Sequence, residues 1–152
     1  SSDLVWKPWI AAVNGICAGG GLHFVADADI VLAASDAEFC DPHVSVGQVS
    51  AYETIGLARK VAMEAVVRLA LLGRHERVPA SRALQLGVCS QVVDPPSTLR
   101  DAAQTLGETI ARHDPQHLAA TKRALWGAFD TTRTAARRGA TFTLTGSGDH
   151  QA

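Results

Sequence analysis

At 152 residues the chain is long enough to bury one sizeable core and too short for two ordinary domains. Hydrophobic residues make up 47% and charged residues 19%, which excludes an intrinsically disordered chain. Lysine and arginine total 14 against 15 acidic residues, and a net charge of -1 leaves no electrostatic footprint for nucleic acid or an anionic membrane. Arg133, Arg137 and Arg138 form a local basic group, expected on the solvated face of a helix.

Cys17, Cys40 and Cys89 are odd in number and widely spaced, with no Cys-x-x-Cys pair, so neither a disulfide framework nor a metal site is expected. That usage fits a reducing compartment, and a cytoplasmic protein is expected. No apolar run approaches the roughly 18 residues of a membrane span. Lys7 and Pro8 interrupt the only early apolar stretch, which therefore does not read as a signal peptide. The chain starts without Met and stops in the polar stretch Gly148–Ala152, so it reads as a fragment cut at both ends.

Taken in chain order, Trp9–Val13 is a predicted strand, followed by the turn dipeptide Asn14-Gly15. Ile16 to Gly21 reads as a glycine-rich loop, Gly21 to Ala28 as a short helix capped and oriented by Asp27 and Asp29, and Asp29 to Ala34 as a buried strand. Phe39 to Gly47 is a strand or loop broken by Pro42. Ile55, Ala58, Ala62, Ala65, Val66 and Leu69 share one face of a long helical pattern that Gly73 ends. A helix from Pro79 to Leu86 stops at Gly87, and Val88–Val93 is a strand. The remainder reads as helical: Ser97–His113 with Ser97 as N-cap, Pro115–Phe129, and Thr131–Thr143. No internal repeat is visible. The three tryptophans, Trp6, Trp9 and Trp126, read as core or interface residues.

A strand that ends in a glycine run and opens a helix lets a ligand approach the backbone closely, at amides with no internal partner. A P-loop reading fails because Gly21-Leu22 stands where Lys and a hydroxyl residue are needed. A dinucleotide fingerprint does not fit the frame of Gly15 and Gly19 to Gly21, although Asp36 ends the second strand near where a ribose-binding acid belongs. The third reading is an oxyanion hole, in which a backbone amide receives charge developing on a carbonyl oxygen.

Lys7-Pro8-Trp9-Ile10-Ala11-Ala12-Val13-Asn14-Gly15-Ile16-Cys17-Ala18-Gly19-Gly20-Gly21 closely resembles the signature of the crotonase superfamily, the enoyl-CoA hydratases and isomerases. The resemblance extends through Ala26-Asp27-Ala28-Asp29-Ile30, Ala37-Glu38-Phe39, Val46-Gly47, Leu72-Gly73-Arg74 and Ala83 to Val93, and reaches Lys122 and Leu125. It implies that the chain is the C-terminal two-thirds of an α/β domain. Residues 1–94 would form a partial ββα superhelix, the crotonase core, and residues 95–152 a helical C-terminal trimerisation region. The implied assembly is a homotrimer or a dimer of trimers. The implied substrate is an acyl-CoA thioester, with no cofactor beyond the coenzyme A that the substrate carries.

By the resemblance, Gly20 supplies one oxyanion amide and Ala18, Gly19, Gly20 and Gly21 line the substrate, while the second amide belongs to a loop preceding residue 1. The two glutamates of the hydratases are replaced here by His23 and by His43 after Pro42. An unperturbed imidazole suits general acid/base work near neutral pH, and one neutral and one protonated ring can move a proton on or off an α-carbon. Each histidine can equally be a satisfied, packed residue. Glu53, beside Tyr52, is a further catalytic candidate or a helix N-terminal acid favoured by the dipole. Asp41 either orients His43 or makes an Asx-turn before Pro42. Cys17 is expected to pack rather than react.

The default expectation is enoyl-CoA hydration. The alternatives are isomerisation or another enolate reaction using His23, His43 or Glu53, and a non-catalytic acyl-CoA-binding homologue.

Overall fold

The computed structural model describes residues 5–145, with side chains described through residue 139; the polar stretch Gly148–Ala152 lies outside them. Two compact units divide the chain, one of Trp9–Glu108 and one of Ser1–Pro8 with Thr109–Ala152.

In the larger unit the chain runs β1 (Ile10–Val13), β2 (Ile16–Ala18), α1 (Gly21–Asp27), β3 (Ile30–Ala34), β4 (Glu38–Cys40), α2 (Tyr52–Leu57), α3 (Met63–Leu72), β5 (Val78–Pro79), α4 (Ala80–Leu86) and β6 (Gln91–Val93). The strands form two three-stranded sheets, ordered β1-β3-β6 and β2-β4-β5. β1 pairs parallel with β3, Ile10 opposite Ile30, and β2 pairs parallel with β4, Cys17 opposite Phe39. Two successive strand–strand–helix units, β1-β2-α1 and β3-β4-α2, thus send their first strands to one sheet and their second strands to the other. This is the ββα superhelix, a repeat of structure that the sequence does not show because strands of three to five residues carry too little pattern.

Ile16–Ala18, expected as part of a loop, is a strand. Its backbone continues the ladder through Glu38, whose amide bonds Gly15 O, and Gly19, whose amide bonds Cys40 O. The core consists of small and medium residues, among them Leu22, Val25, Leu32, Ala33, Ala34, Phe39 and Leu57. Alanines on buried strands allow the two sheets and their helices to approach closely.

The single long helix expected from Ile55 to Leu69 is two helices, α2 and α3, separated at residues 58–62. Ile55 is exposed, while Glu53, Thr54 and Leu57 face inward. Lys60, in the break, sends Nζ to the carbonyls of Val25 (3.0 Å) and Ala28, which satisfies acceptors at the end of α1. Gly73 caps α3 at φ +61, as expected. Asp29 does not cap α1: its Oδ2 accepts from Trp9 N at 2.7 Å and ties the start of β1 to that of β3.

α5 (Leu99–Ile110) follows, preceded by a 3-10 turn over Pro96–Thr98 rather than by a Ser97 cap. In the smaller unit, α6 (Pro115–Gly127) is capped by Asp114, whose Oδ1 accepts from the amides of Gln116 and His117. α7 covers Arg133–Thr145. Lys122 is buried on α6 and donates to Lys7 O at 3.1 Å, and the Arg123 guanidinium stacks 5.0 Å from the Trp6 ring centre. Arg133, Arg137 and Arg138 are exposed. Among the described residues no helix is long and apolar enough to cross a membrane.

Candidate active site

β2 delivers the chain into Gly19, whose φ of +50 suits a residue without Cβ, and α1 begins two residues later. A side chain at Gly19 would stand 3.6 Å from His43 Cε1, so the His43 ring packs directly beside the turn. Gly20 is exposed, and its amide donates to no group among the described residues. Ala18 is exposed as well, Gly19 is buried and Gly21 is half-buried, with Cys17 Sγ behind it. Burial pushes the Cys17 thiol up to about 11, which makes it a packing group and not a nucleophile.

Three side chains from three elements meet at this turn. His23 lies on the first turns of α1, His43 opens the 3-10 turn after Pro42, and Glu53 lies on α2. Glu53 Oε1 is 3.1 Å from His23 Nε2 and 3.7 Å from His43 Nε2. The carboxylate is buried, the His23 side chain is 45% exposed and that of His43 19%, so the cluster is open on the His23 side. The Tyr52 ring stacks against the His23 ring at 6.3 Å between centres.

Behind His43 sits Asp41, at zero exposure. Its Oδ1 accepts from the His43 backbone amide at 3.2 Å and lies 2.5 Å from His43 Nδ1. Both roles considered for Asp41 are therefore realised at once, the Asx-turn and the orientation of the ring. Its Oδ2 accepts from the Ser50 hydroxyl. The hydrogen bond to Asp41 holds the His43 imidazole above its ordinary pKa; the charges of Asp41 and Glu53 add to this, and burial opposes it.

Ser50 is the one member of this cluster that sequence reasoning missed. The spacing Ser50-x-x-Glu53 is that of a capping box and marks the start of α2. The hydroxyl caps no backbone amide, however; it turns to Asp41.

Glu53 meets His23 because α1 and α2 touch at Gly56. A Cβ there would stand 2.8 Å from the Cβ of Ala26. Gly56→Ala is expected to push the helices apart, lowering stability by about 1–3 kcal/mol as overpacking does. It should also lower activity more than His23→Ala does in a protein that remains folded. Denaturant unfolding alongside an activity assay checks both, and unchanged stability would show that the contact relaxes without cost.

The family model described as Enoyl-CoA hydratase/isomerase matches residues 4–151. The chain is 36% identical over 121 residues to (E)-benzylidenesuccinyl-CoA hydratase of Thauera aromatica, covering 79% of this chain and 46% of that protein. To 2,3-dehydroadipyl-CoA hydratase of Escherichia coli (strain K12) it is 38% identical over 120 residues, covering 78% of this chain and 46% of that protein. Among solved structures, an enoyl-CoA hydratase/isomerase from Mycobacterium paratuberculosis superposes with a TM-score of 0.94 at 31% identity, covering 99% of this chain and 59% of that one. The chain spans a little under half the length of the curated relatives it matches. On the match across nearly all of its length and the shared ββα superhelix, the chain belongs to the enoyl-CoA hydratase/isomerase family of the crotonase superfamily.

Proposed function

We propose that the protein acts on an acyl-CoA thioester through an enolate and adds water to a 2-enoyl-CoA. The observation that carries this reading is a buried Glu53 carboxylate against two imidazoles at the glycine turn, where the exposed Gly20 amide has no partner among the described residues. The hydratases among its relatives support the same reaction class.

The steps follow from position. The thioester oxygen sits on the Gly20 N–H, which stabilises it as it becomes negative. Glu53, steadied by His23, takes a proton from a water molecule whose oxygen bonds to the β-carbon. The electron pair of the double bond moves to the α-carbon and the thioester, forming the enolate. His43, packed against the oxyanion turn, is the acid nearest the α-carbon and gives it a proton from Nε2. The proton on Glu53 then returns to His43 Nε2, which stands 3.7 Å away, through one relaying water or after the two side chains close to hydrogen-bond distance, and one water has been added with both groups restored.

By the resemblance two imidazoles replace two carboxylates, and Glu53 on α2 joins them as a third acid/base group that serves as the base. The test is hydration of crotonyl-CoA by the protein in its natural length, followed as loss of the enoyl-thioester absorbance. Turnover with incorporation of one water is the expected result. Exchange of the α-proton with solvent and migration of the double bond, without hydration, would replace this reading by isomerisation. Tight acyl-CoA binding with neither reaction would leave a binding homologue.

A further inference from the structure

Ser50 carries none of the proton steps above, yet its hydroxyl reaches the most buried carboxylate of the site. We propose that Ser50 is a positioning residue that, through Asp41, fixes the His43 ring with Nδ1–H held and Nε2 turned toward Glu53. For its effect on rate the inference rests on the proposed function; for its effect on the ring it rests on geometry alone.

The two oxygens of Asp41 are divided between two tasks. Oδ1 serves His43, at the ring Nδ1 (2.5 Å) and the backbone amide (3.2 Å), and Oδ2 accepts from Ser50 Oγ. At zero exposure bulk water does not reach the carboxylate, so rotating it would take a polar oxygen off its partner. Ser50 is itself fixed to the helix that carries Glu53: its Oγ lies 3.3 Å from Thr54 Oγ1, and Thr54 Oγ1 donates to Ser50 O at 3.2 Å. One hydroxyl thereby couples the partner of His43 to the first turn of α2.

Neutral imidazole has two tautomers, and an acceptor at Nδ1 selects the form with the proton there. Only that form leaves the Nε2 lone pair ready to take back a proton from Glu53. The titratable groups facing His43 among the described residues are Asp41 from its own segment, Glu53 from α2, and His23 of α1 across the Glu53 carboxylate. Of these only Asp41 contacts Nδ1.

The test is Ser50→Ala in the natural-length protein. We expect kcat to fall about tenfold, the size of one lost hydrogen bond to a charged group, with KM changed less than about twofold. Nitrogen-15 spectra of histidine-labelled protein at alkaline pH should show His43 passing from the Nδ1–H form to a mixture of tautomers. Ser50→Thr, which keeps the hydroxyl, should restore both readouts. A lower kcat with the His43 tautomer unchanged would make Ser50 merely structural and overturn the proposal, as would no change in either. If Ser50→Ala is too unstable to study, Ser50→Cys, whose thiol is a weaker donor, should give a partial mixture, and an unmixed spectrum there is equally fatal. A protein that hydrates no enoyl-CoA would sink the proposed function and still leave the spectra to decide on Ser50.

Discussion

Replacing Glu53 by glutamine is expected to lower kcat/KM for enoyl-CoA hydration by roughly 10²–10⁴-fold, the range that a positioned general base contributes. Glutamine keeps the shape but cannot take a proton, and it removes a negative charge that helps keep His43 protonated. Both effects act against the reaction. The rival role for Glu53, an acid favoured by a helix dipole, is worth about 0.3–1 kcal/mol and would appear as stability rather than rate. Magnitude also argues against that role. α2 is six residues long, and Glu53 is buried with its oxygen between two imidazoles instead of pointing to water. Steady-state kinetics and thermal unfolding on the same preparation separate the two. A variant that is less stable but retains kcat/KM within about threefold would return Glu53 to the capping role and leave the site without its base.

His23→Ala should be milder. It leaves the carboxylate in place and removes a partner that is nearly half exposed.

How far the site could be read from the residues differs among its members. The glycine turn and the two histidines were legible because each stands within a few residues of a strand end or a proline, in a segment whose spacing matches a family signature. Glu53 was harder to place. In that same frame it falls about two positions late, and only the helical phase of α2, with Glu53, Thr54 and Leu57 inward and Ile55 outward, brings its carboxylate to the histidines. The apolar residues from Ile55 to Leu69 matched a continuous helix, and that pattern hid the break. The break accompanies a contact that no local pattern carries: Lys60 reaches the carbonyls of Val25 and Ala28, 35 and 32 positions earlier in the chain. The strand β2 was lost for a related reason, since three residues between Gly15 and Gly19 show no period and become a strand only through pairing with β4. Ser50 belongs to the same class. Its partner is nine positions away and buried by the fold.

In the proposed mechanism His43 sets the pH dependence. His43→Gln should cut turnover by roughly 10²–10⁴-fold, because it removes the proposed proton donor that packs against the glycine turn. In the proposed mechanism His43 acts in its protonated form. Activity should therefore fall as pH rises through the His43 pKa, which the Asp41 hydrogen bond places above the ordinary histidine value of about 6.5. Asp41→Asn removes the negative charge and the strong acceptor at Nδ1, so the pKa must drop and the alkaline limb of kcat/KM must move to lower pH. The opposite sign would follow if His43 worked as a base in its neutral form, since its activity would then rise through that pKa and Asp41→Asn would extend it toward acid. A pH profile of the two proteins distinguishes these outcomes without any structural assumption. A rising limb at the His43 pKa would reverse the assignment of acid and base between His43 and Glu53.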